Sequence, residues 1–214
     1  MPPFVGKPVR CPPRALKTTG MNASATSARR TRPGGFTLVE LMVVLVIGAL
    51  LATLAAPRMS AFLQNQRRTT VLNEFVASLA LARSEAIKRG LNVSMCRSNT
   101  GTSCAGTAWA NGWMVFVNLD NDVPATVDAG ETVLRVRAFD TPDFALNPAV
   151  VYTNFLTYRP TGFINSPGNF VLCDSRGAAA ARSIIINNTG RARFSRDVDD
   201  DGIHEDASNA DLSC

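Results

Sequence analysis

Histidine is almost absent from the sequence: His204 is the only one among 214 residues. A Cys/His or Ser/His catalytic pair therefore has a single candidate base, and no hydrolase motif accompanies it. The five cysteines, at positions 11, 96, 104, 173 and 214, follow no spacing that is typical of zinc ligands. These absences argue against an enzyme and against a zinc site.

Acidic residues are missing from the first 35 positions, which contain seven Lys and Arg residues. This segment is rich in Pro, Ser, Thr and Ala and cannot bury a core. We therefore predict that residues 1–35 are a cytoplasmic leader that is removed on maturation. Met21 would open a shorter leader of 15 residues without Cys11, and the choice between Met1 and Met21 as the start stays open.

Loss of this leader changes the sign of the net charge. The whole chain carries +5 at pH 7 and has a pI near 9.3. Without the seven leader cations, 15 Lys and Arg stand against 17 Asp and Glu, which gives −2. The net charge of the mature chain therefore does not support nucleic-acid binding, and such a function would require a local cluster of basic residues.

A long apolar run follows the leader. Residues 36–56 are apolar or small except for Glu40 and two threonines, and as a helix they span about 30 Å, the thickness of a bilayer core. A carboxylate inside such a helix costs a few kcal/mol, roughly, and is usually functional. A secretory signal peptide would have a shorter apolar region without an acid. An ordinary anchor accounts neither for Glu40 nor for the glycines before Phe36.

The start of this run, Gly35-Phe36-Thr37-Leu38-Val39-Glu40, resembles the processing site of type IV prepilins. The resemblance implies cleavage by prepilin peptidase between Gly35 and Phe36, N-methylation of Phe36, and a need for Glu40 in assembly. Phe36 and Glu40 are one helical turn apart, so the carboxylate can pair with an N-terminal amine, its own or a neighbour's.

The remaining sequence predicts an α+β fold. The apolar transmembrane half, residues 36–57, should kink at Pro57, and an amphipathic half follows over 58–90. From residue 91 the pattern changes to a β-rich domain that continues to 214, a mostly antiparallel sheet covered by the helix. The predicted β-rich runs are residues 91–97, 112–119, 131–139, 149–159, 170–173, 182–187 and 190–194.

This domain resembles the GspH/FimT branch of pilins and pseudopilins. The resemblance is carried by Ala82 to Gly90, Val93 to Cys96, Gly112 to Phe116, Glu131 to Arg135, Phe163 and Gly190-Arg191-Ala192-Arg193. It implies a minor type IV pilin that is held in the bacterial inner membrane by one helix, with its C-terminal domain in the periplasm, and later enters a pilus. The implied partners are other pilins or minor pilins and prepilin peptidase. The alternative is a minor pseudopilin of a type II secretion system, without DNA binding.

Four cysteines remain after the leader is removed, and in the periplasm they are expected to form disulfides. Four cysteines allow three pairings. A Cys96–Cys104 bond would close a short loop, and the family resemblance favours a Cys173–Cys214 bond at the C-terminus.

The strongest candidate for a binding function is Gly190-Arg191-Ala192-Arg193. Residues two apart on a strand share a face, so Arg191 and Arg193 should project together, with Arg196 following and Arg182 across the sheet. Such a cluster can contact phosphates without reading bases. FimT-type minor pilins use a similar motif to capture double-stranded DNA in natural transformation. The alternative is that these arginines pair with the acidic run 197–201 or with a neighbouring subunit.

That acidic run resembles the start of a calcium loop, with Asp197, Asp199 and Asp201 as candidate ligands. An EF-hand needs a glutamate at loop position 12, where this sequence has Ser208, so the match is incomplete. A calcium ion is the only cofactor that the sequence suggests, and a solvated acidic turn is the alternative.

Overall fold

The computed structural model describes residues 35–138 and 143–214; for Leu54 and Pro57 it describes the backbone alone. The predicted leader, with Cys11 and Met21, lies outside the described residues except for Gly35. Phe139, the last residue of the predicted third β-rich run, also lies outside them. The chain divides into two compact units, one that ends at Leu50 and one that covers Leu51–Cys214.

One long helix, α1 (Leu38–Arg89), begins in the first unit and ends in the second. It begins two residues later than predicted because Thr37 caps it. The Thr37 hydroxyl accepts a hydrogen bond from the Glu40 backbone N–H at 3.2 Å, and the Thr37 carbonyl accepts one from Leu41 N–H at 3.1 Å. All side chains of residues 35–50 are exposed.

By length and composition, no single helix among the described residues could cross a membrane, although the bent pair Leu38–Thr53 and Arg58–Arg89 meets the same criteria together. The break between these two parts contains Pro57, at which the sequence predicts a kink.

Within residues 35–138 and 143–214, eight strands form two antiparallel four-stranded sheets, and the predicted α+β class is confirmed. The first sheet has the order β3-β2-β1-β5 and the second the order β4-β6-β7-β8. The strands are β1 (Asn92–Arg97), β2 (Gly112–Asn118), β3 (Val133–Ala138), β4 (Phe144–Pro148), β5 (Phe155–Tyr158), β6 (Gly168–Asp174), β7 (Arg182–Ile186) and β8 (Ala192–Phe194).

The second half of α1 covers the core with its apolar face, as its periodicity predicts. Phe75 is fully buried at the centre, with ring centroids 4.9 Å from Trp113, 5.9 Å from Trp109 and 4.6 Å from Phe170. The other buried apolar residues of this face are Val71, Leu72, Leu79, Ala82 and Ala86. Both sheets contribute to this core, so the helix unites them.

The predicted single run over 149–159 is wrong in part. Residues Val150–Tyr152 form a 3-10 turn, and only Phe155–Tyr158 are a strand. The chain must turn there because β4 belongs to the second sheet and β5 to the first. The buried ring of Tyr152 stacks on Phe170 at 5.3 Å and fixes this turn.

Candidate functional site

The arginine motif lies on the β7–β8 hairpin. Ile186 pairs with Ala192 and Ile185 with Arg193. The Asn187 N–H donates to the Arg191 carbonyl at 3.1 Å, and the Gly190 N–H donates to the Asn187 carbonyl at 2.9 Å. The loop is therefore three residues long and ends in Gly190, whose φ of +72° is the left-handed conformation that such loops need.

Gly190 is also tightly packed. A Cβ atom at this position would lie 2.5 Å from the Gly162 carbonyl oxygen and 2.6 Å from Cε1 of Tyr158. Arg83 on α1 donates to the same Gly162 carbonyl at 3.0 Å. The glycine of the motif thus fixes the turn, and the arginines that follow it are free to serve another role.

Arg191 and Arg193 project on one face of the hairpin, as the sequence predicts. Ala192 between them packs against the core, so alternation places both arginines on the opposite face. Both side chains are exposed. Because β8 is the last strand of its sheet, nothing in the order of strands covers its outer edge.

No ion pair involves Arg191, Arg193 or Arg196 among the residues that the structure describes. Arg196 is exposed just beyond β8, and its backbone carbonyl accepts a hydrogen bond from the Glu205 N–H at 2.9 Å. The pairing of these arginines with the acidic run, which the sequence left as an alternative, is therefore not present within this chain.

Arg182 is not part of this arginine face. Arg182 is the first residue of β7, and Ile185, which pairs with Arg193, follows three residues later. The Cα atoms of Arg182 and Ile185 are therefore about 10 Å apart along the strand. Nη1 of Arg182 donates to the carbonyls of Ala181 at 2.6 Å and Ala179 at 3.3 Å. It lines a separate cavity together with Arg68.

The acidic run folds into a compact loop that uses its own carboxylates. Asp197 accepts from the Gly202 N–H at 3.0 Å, and Asp201 accepts from the Ile203 N–H at 2.7 Å. Both oxygens of the buried Glu205 accept from the Val198 N–H at 2.9 Å.

Carboxylates of the three calcium candidates come together in two overlapping groups. In each group one oxygen per residue lies within 4.8 Å of the others: Asp197 and Asp199 with Glu205, and Asp199 and Asp201 with Asp211. Oδ1 of Asp197 is buried without a hydrogen-bond partner. Sequence spacing missed Glu205 and Asp211, because an EF-hand template looks for its glutamate three residues later than Glu205. Calcium binding stays a prediction.

The predicted processing segment precedes α1 in non-helical conformation. A Cβ atom added to Gly35 would meet no heavy atom of the described residues within 4 Å, and Phe36 is 84% exposed. Glu40 occupies the first turn of α1, where the helix dipole favours a negative charge.

Both predicted disulfides are present. Cys96 is bonded to Cys104 with Cα atoms 5.5 Å apart, and Cys173 to Cys214 with Cα atoms 5.7 Å apart. The first closes the loop after β1, and the second ties the C-terminus to β6.

Comparison with protein families gives two matches. The family described as type II transport protein GspH matches residues 71–190, which is more than half of the chain. The chain belongs to the GspH family. The prokaryotic N-terminal methylation motif matches residues 30–56 and includes Gly35, Phe36 and Glu40. The family resemblance expected from the sequence is thereby confirmed, and the GspH-family region contains every strand through β7.

Solved structures similar to this GspH-family chain include the type IV minor pilin FimU of Pseudomonas aeruginosa PAO1 in two crystal forms. The P21 form shares 19% identity over 63% of this chain and 92% of that chain, with a TM-score of 0.46. The P65 form shares 18% identity over 60% and 92%, with a TM-score of 0.43. No curated protein matches the chain significantly.

Proposed function

We propose that this GspH-family chain is a minor type IV pilin that is cut by prepilin peptidase between Gly35 and Phe36. The methylation motif over residues 30–56 supports this assignment. The Thr37 cap also supports it, because it leaves the Gly35–Phe36 bond outside the helix, where a peptidase can reach the backbone. The role is structural and not catalytic.

After cleavage, residues 36–57 hold the protein in the inner membrane, with the domain in the periplasm, until other pilins receive it in a filament. In that apolar setting Glu40 pairs with the methylated amine of Phe36 of its own or a neighbouring subunit. A charge pair surrounded by apolar side chains sets the register of subunits more than it adds stability.

The face formed by Arg191 and Arg193 binds double-stranded DNA. The single observation that carries this part of the proposal is the display of two exposed arginines on one face of an edge hairpin, without ion pairs to any residue that the structure describes. Their Cα atoms are about 7 Å apart, and duplex DNA carries one charge per about 1.7 Å of its axis, so both can contact phosphates. Such contacts are independent of sequence.

The acidic loop next to this face should repel DNA less than its number of carboxylates suggests. Asp197, Asp201 and Glu205 direct carboxylate oxygens at backbone N–H groups of their own loop. Those bonds hold the negative groups within the loop and spread their charge onto its amides.

A DNA titration of the detergent-solubilised full-length chain across a salt series tests this function. We expect binding that weakens with salt and is lost in the Arg191→Ala/Arg193→Ala variant, with the slope of log K against log [salt] lower by about 2 if weak binding remains. The control Arg67→Ala/Arg97→Ala removes the same charge from other elements and should bind as the wild type does. Equal loss in both variants, or no binding by the wild type, contradicts the assignment.

The second candidate is a minor pseudopilin of a type II secretion system. The description of the matched family as a type II transport protein favours it. This candidate predicts the same processing but no DNA binding, so DNA binding in the titration would exclude it, whereas the absence of binding would leave a pseudopilin or a minor pilin that does not bind DNA.

A further inference from the structure

Three arginines gather where α1 meets the second sheet, apart from the arginine face. They are Arg68 on α1, Arg176 after β6 and Arg182 at the start of β7. Arg176 is neutralised, because its Nε donates to both oxygens of Asp174 at 3.0 and 3.1 Å, and its Nη1 donates to Asn65 at 2.8 Å. Arg68 and Arg182 have no carboxylate within 4.0 Å in the part of the chain that the structure describes.

Arg68 and Arg182 are held in place by main-chain carbonyls. Arg68 Nη1 donates to the Ala180 carbonyl, and Arg182 Nη1 donates to those of Ala179 and Ala181. Among the described residues, the bonds of both guanidinium groups are made by Nη1. Nε and Nη2 can therefore donate to a ligand in the fixed planar geometry of the guanidinium group.

Both cations line one cavity of about 270 Å³. Its other walls are Thr69, Leu72, Asn73, Phe194, Ser195 and His204. The Asn73 amide in this lining can donate further hydrogen bonds, whereas the Thr69 hydroxyl already donates to the Asn65 carbonyl at 2.9 Å. The half-exposed Phe194 forms an apolar rim. The cavity thus combines two fixed cations with a neutral amide donor.

The charge in this cavity is not balanced. The pKa of Arg68 is lowered by burial and by the charges of Arg182 and Arg176, and the pKa of Arg182 is lowered by burial and by Arg176. Asp174 acts on Arg68 and Asp197 on Arg182 in the opposite direction, but burial and repulsion outweigh them. An anion between the two guanidinium groups would relieve this repulsion.

We propose that the cavity between Arg68 and Arg182 binds a phosphate group, either as free phosphate or as part of a DNA backbone. Free phosphate carries up to two negative charges and a DNA phosphodiester carries one, and both present several oxygens to donors that come from two directions. The two coplanar oxygens of a carboxylate suit such donors less well. Occupation by free phosphate is independent of the DNA binding proposed above, and occupation by DNA rests on it.

Calorimetric titration of the full-length solubilised chain with inorganic phosphate at constant ionic strength tests the site. We expect binding that weakens at least tenfold in Arg68→Gln and in Arg182→Gln, and that is unchanged in Arg67→Gln, a control one residue away on α1. Acetate should bind at least tenfold more weakly than phosphate. No phosphate binding, equal binding by all variants, or equal affinity for acetate would overturn the proposal.

Arginine modification by phenylglyoxal tests the same site in the wild-type chain, so it does not require that the Gln variants fold. Phosphate should protect Arg68 and Arg182 of the wild type and leave Arg67 reactive, and equal reactivity with and without phosphate overturns the proposal. The same experiment with a DNA duplex shows whether the bound phosphate group can belong to DNA. If phosphate protects the two arginines and DNA does not, the cavity binds free phosphate and the proposal that DNA occupies it is rejected. If DNA binds through Arg191 and Arg193 but neither phosphate nor DNA protects Arg68 and Arg182, the phosphate site is rejected and the proposed function stands.

Discussion

The hydroxyl of Tyr158 donates a hydrogen bond to the carbonyl oxygen of Gly190 at 3.2 Å. Tyr158 belongs to the first sheet and Gly190 to a hairpin of the second, so this bond joins the sheets directly beside Arg191. Burial raises the pKa of Tyr158, and its phenol therefore stays a neutral donor at neutral pH. The position of the arginine face thus depends on the core beneath it.

Gly190→Ala should destabilise the chain by about 2–4 kcal/mol, because the new methyl group meets Tyr158 and the Gly162 carbonyl in addition to the positive φ. Gly90→Ala, directly after α1, is the matched control. Its φ is +67° and no described atom lies within 4 Å of its Cβ position, so we expect about 1 kcal/mol. Thermal or urea unfolding measures both. Equal destabilisation would show that packing on Tyr158 contributes nothing.

Phe75→Ala should give one of the largest losses of any single change, about 3–5 kcal/mol, because Phe75 contacts three aromatic rings at the centre of the core. Phe62→Ala removes the same side chain from a position of α1 that is 55% exposed, and should have little effect on unfolding in urea. A small effect of Phe75→Ala would contradict the packing of α1 on both sheets.

These features differ in how far the sequence predicts them. Hydrophobic periodicity marks the buried face of α1 because a helix that covers a core repeats its apolar side chains every three to four residues. β4 escaped prediction because it is a short edge strand that ends in Pro148, a residue that only an edge tolerates.

The candidate sites show the same division. Alternation along one strand was sufficient to place Arg191 and Arg193 together. The association of Arg68 with Arg182, and of Glu205 with Asp197, joins segments that are separated in sequence. No local pattern encodes such contacts, and only the packing of the elements reveals them.

Asp174→Asn should lower the free energy of unfolding by about 1–3 kcal/mol at pH 7, because it removes the charged acceptor of Arg176. The Asp174 side chain is only 4% exposed, so water cannot replace it as a partner. Hydrogen bonds from Arg176 lower the pKa of Asp174 below its ordinary value of 3.8. The stability due to this group is therefore complete above that value and is lost as the pH falls through the lower pKa of the folded protein.

Urea unfolding of both proteins from pH 7 to pH 2 checks this dependence. The difference between wild type and Asp174→Asn should shrink only in acid. Asp143→Asn is the control, because its ion pair with Arg67 is about two-thirds exposed and should contribute little. A difference that does not change with pH would contradict the ionic contribution of Asp174.

Addition of calcium to a concentration of about 1 mM should raise the melting temperature of the chain. The pKa of Asp211 is raised chiefly by Asp201, then by burial and by Asp199, Glu205 and Asp197, so these carboxylates repel one another and a cation would relieve the repulsion. Asp199→Asn, at the residue that both carboxylate groups share, should abolish the calcium-dependent shift, whereas Asp128→Asn, in the separate acidic group of residues 120–128, should retain it. The absence of a shift in the wild type would leave these residues as a solvated turn.

Both filament assignments of this chain, minor pilin and pseudopilin, require cleavage between Gly35 and Phe36, so the N-terminus of the mature protein is the most direct measurement. The full chain is produced with a prepilin peptidase, recovered from membranes and identified by mass spectrometry of its N-terminal peptide. The account predicts a chain that begins with methylated Phe36, and no cleavage in a Gly35→Leu variant. A retained leader in the wild type, a cut near Ala55, or the same N-terminus in Gly35→Leu would contradict it.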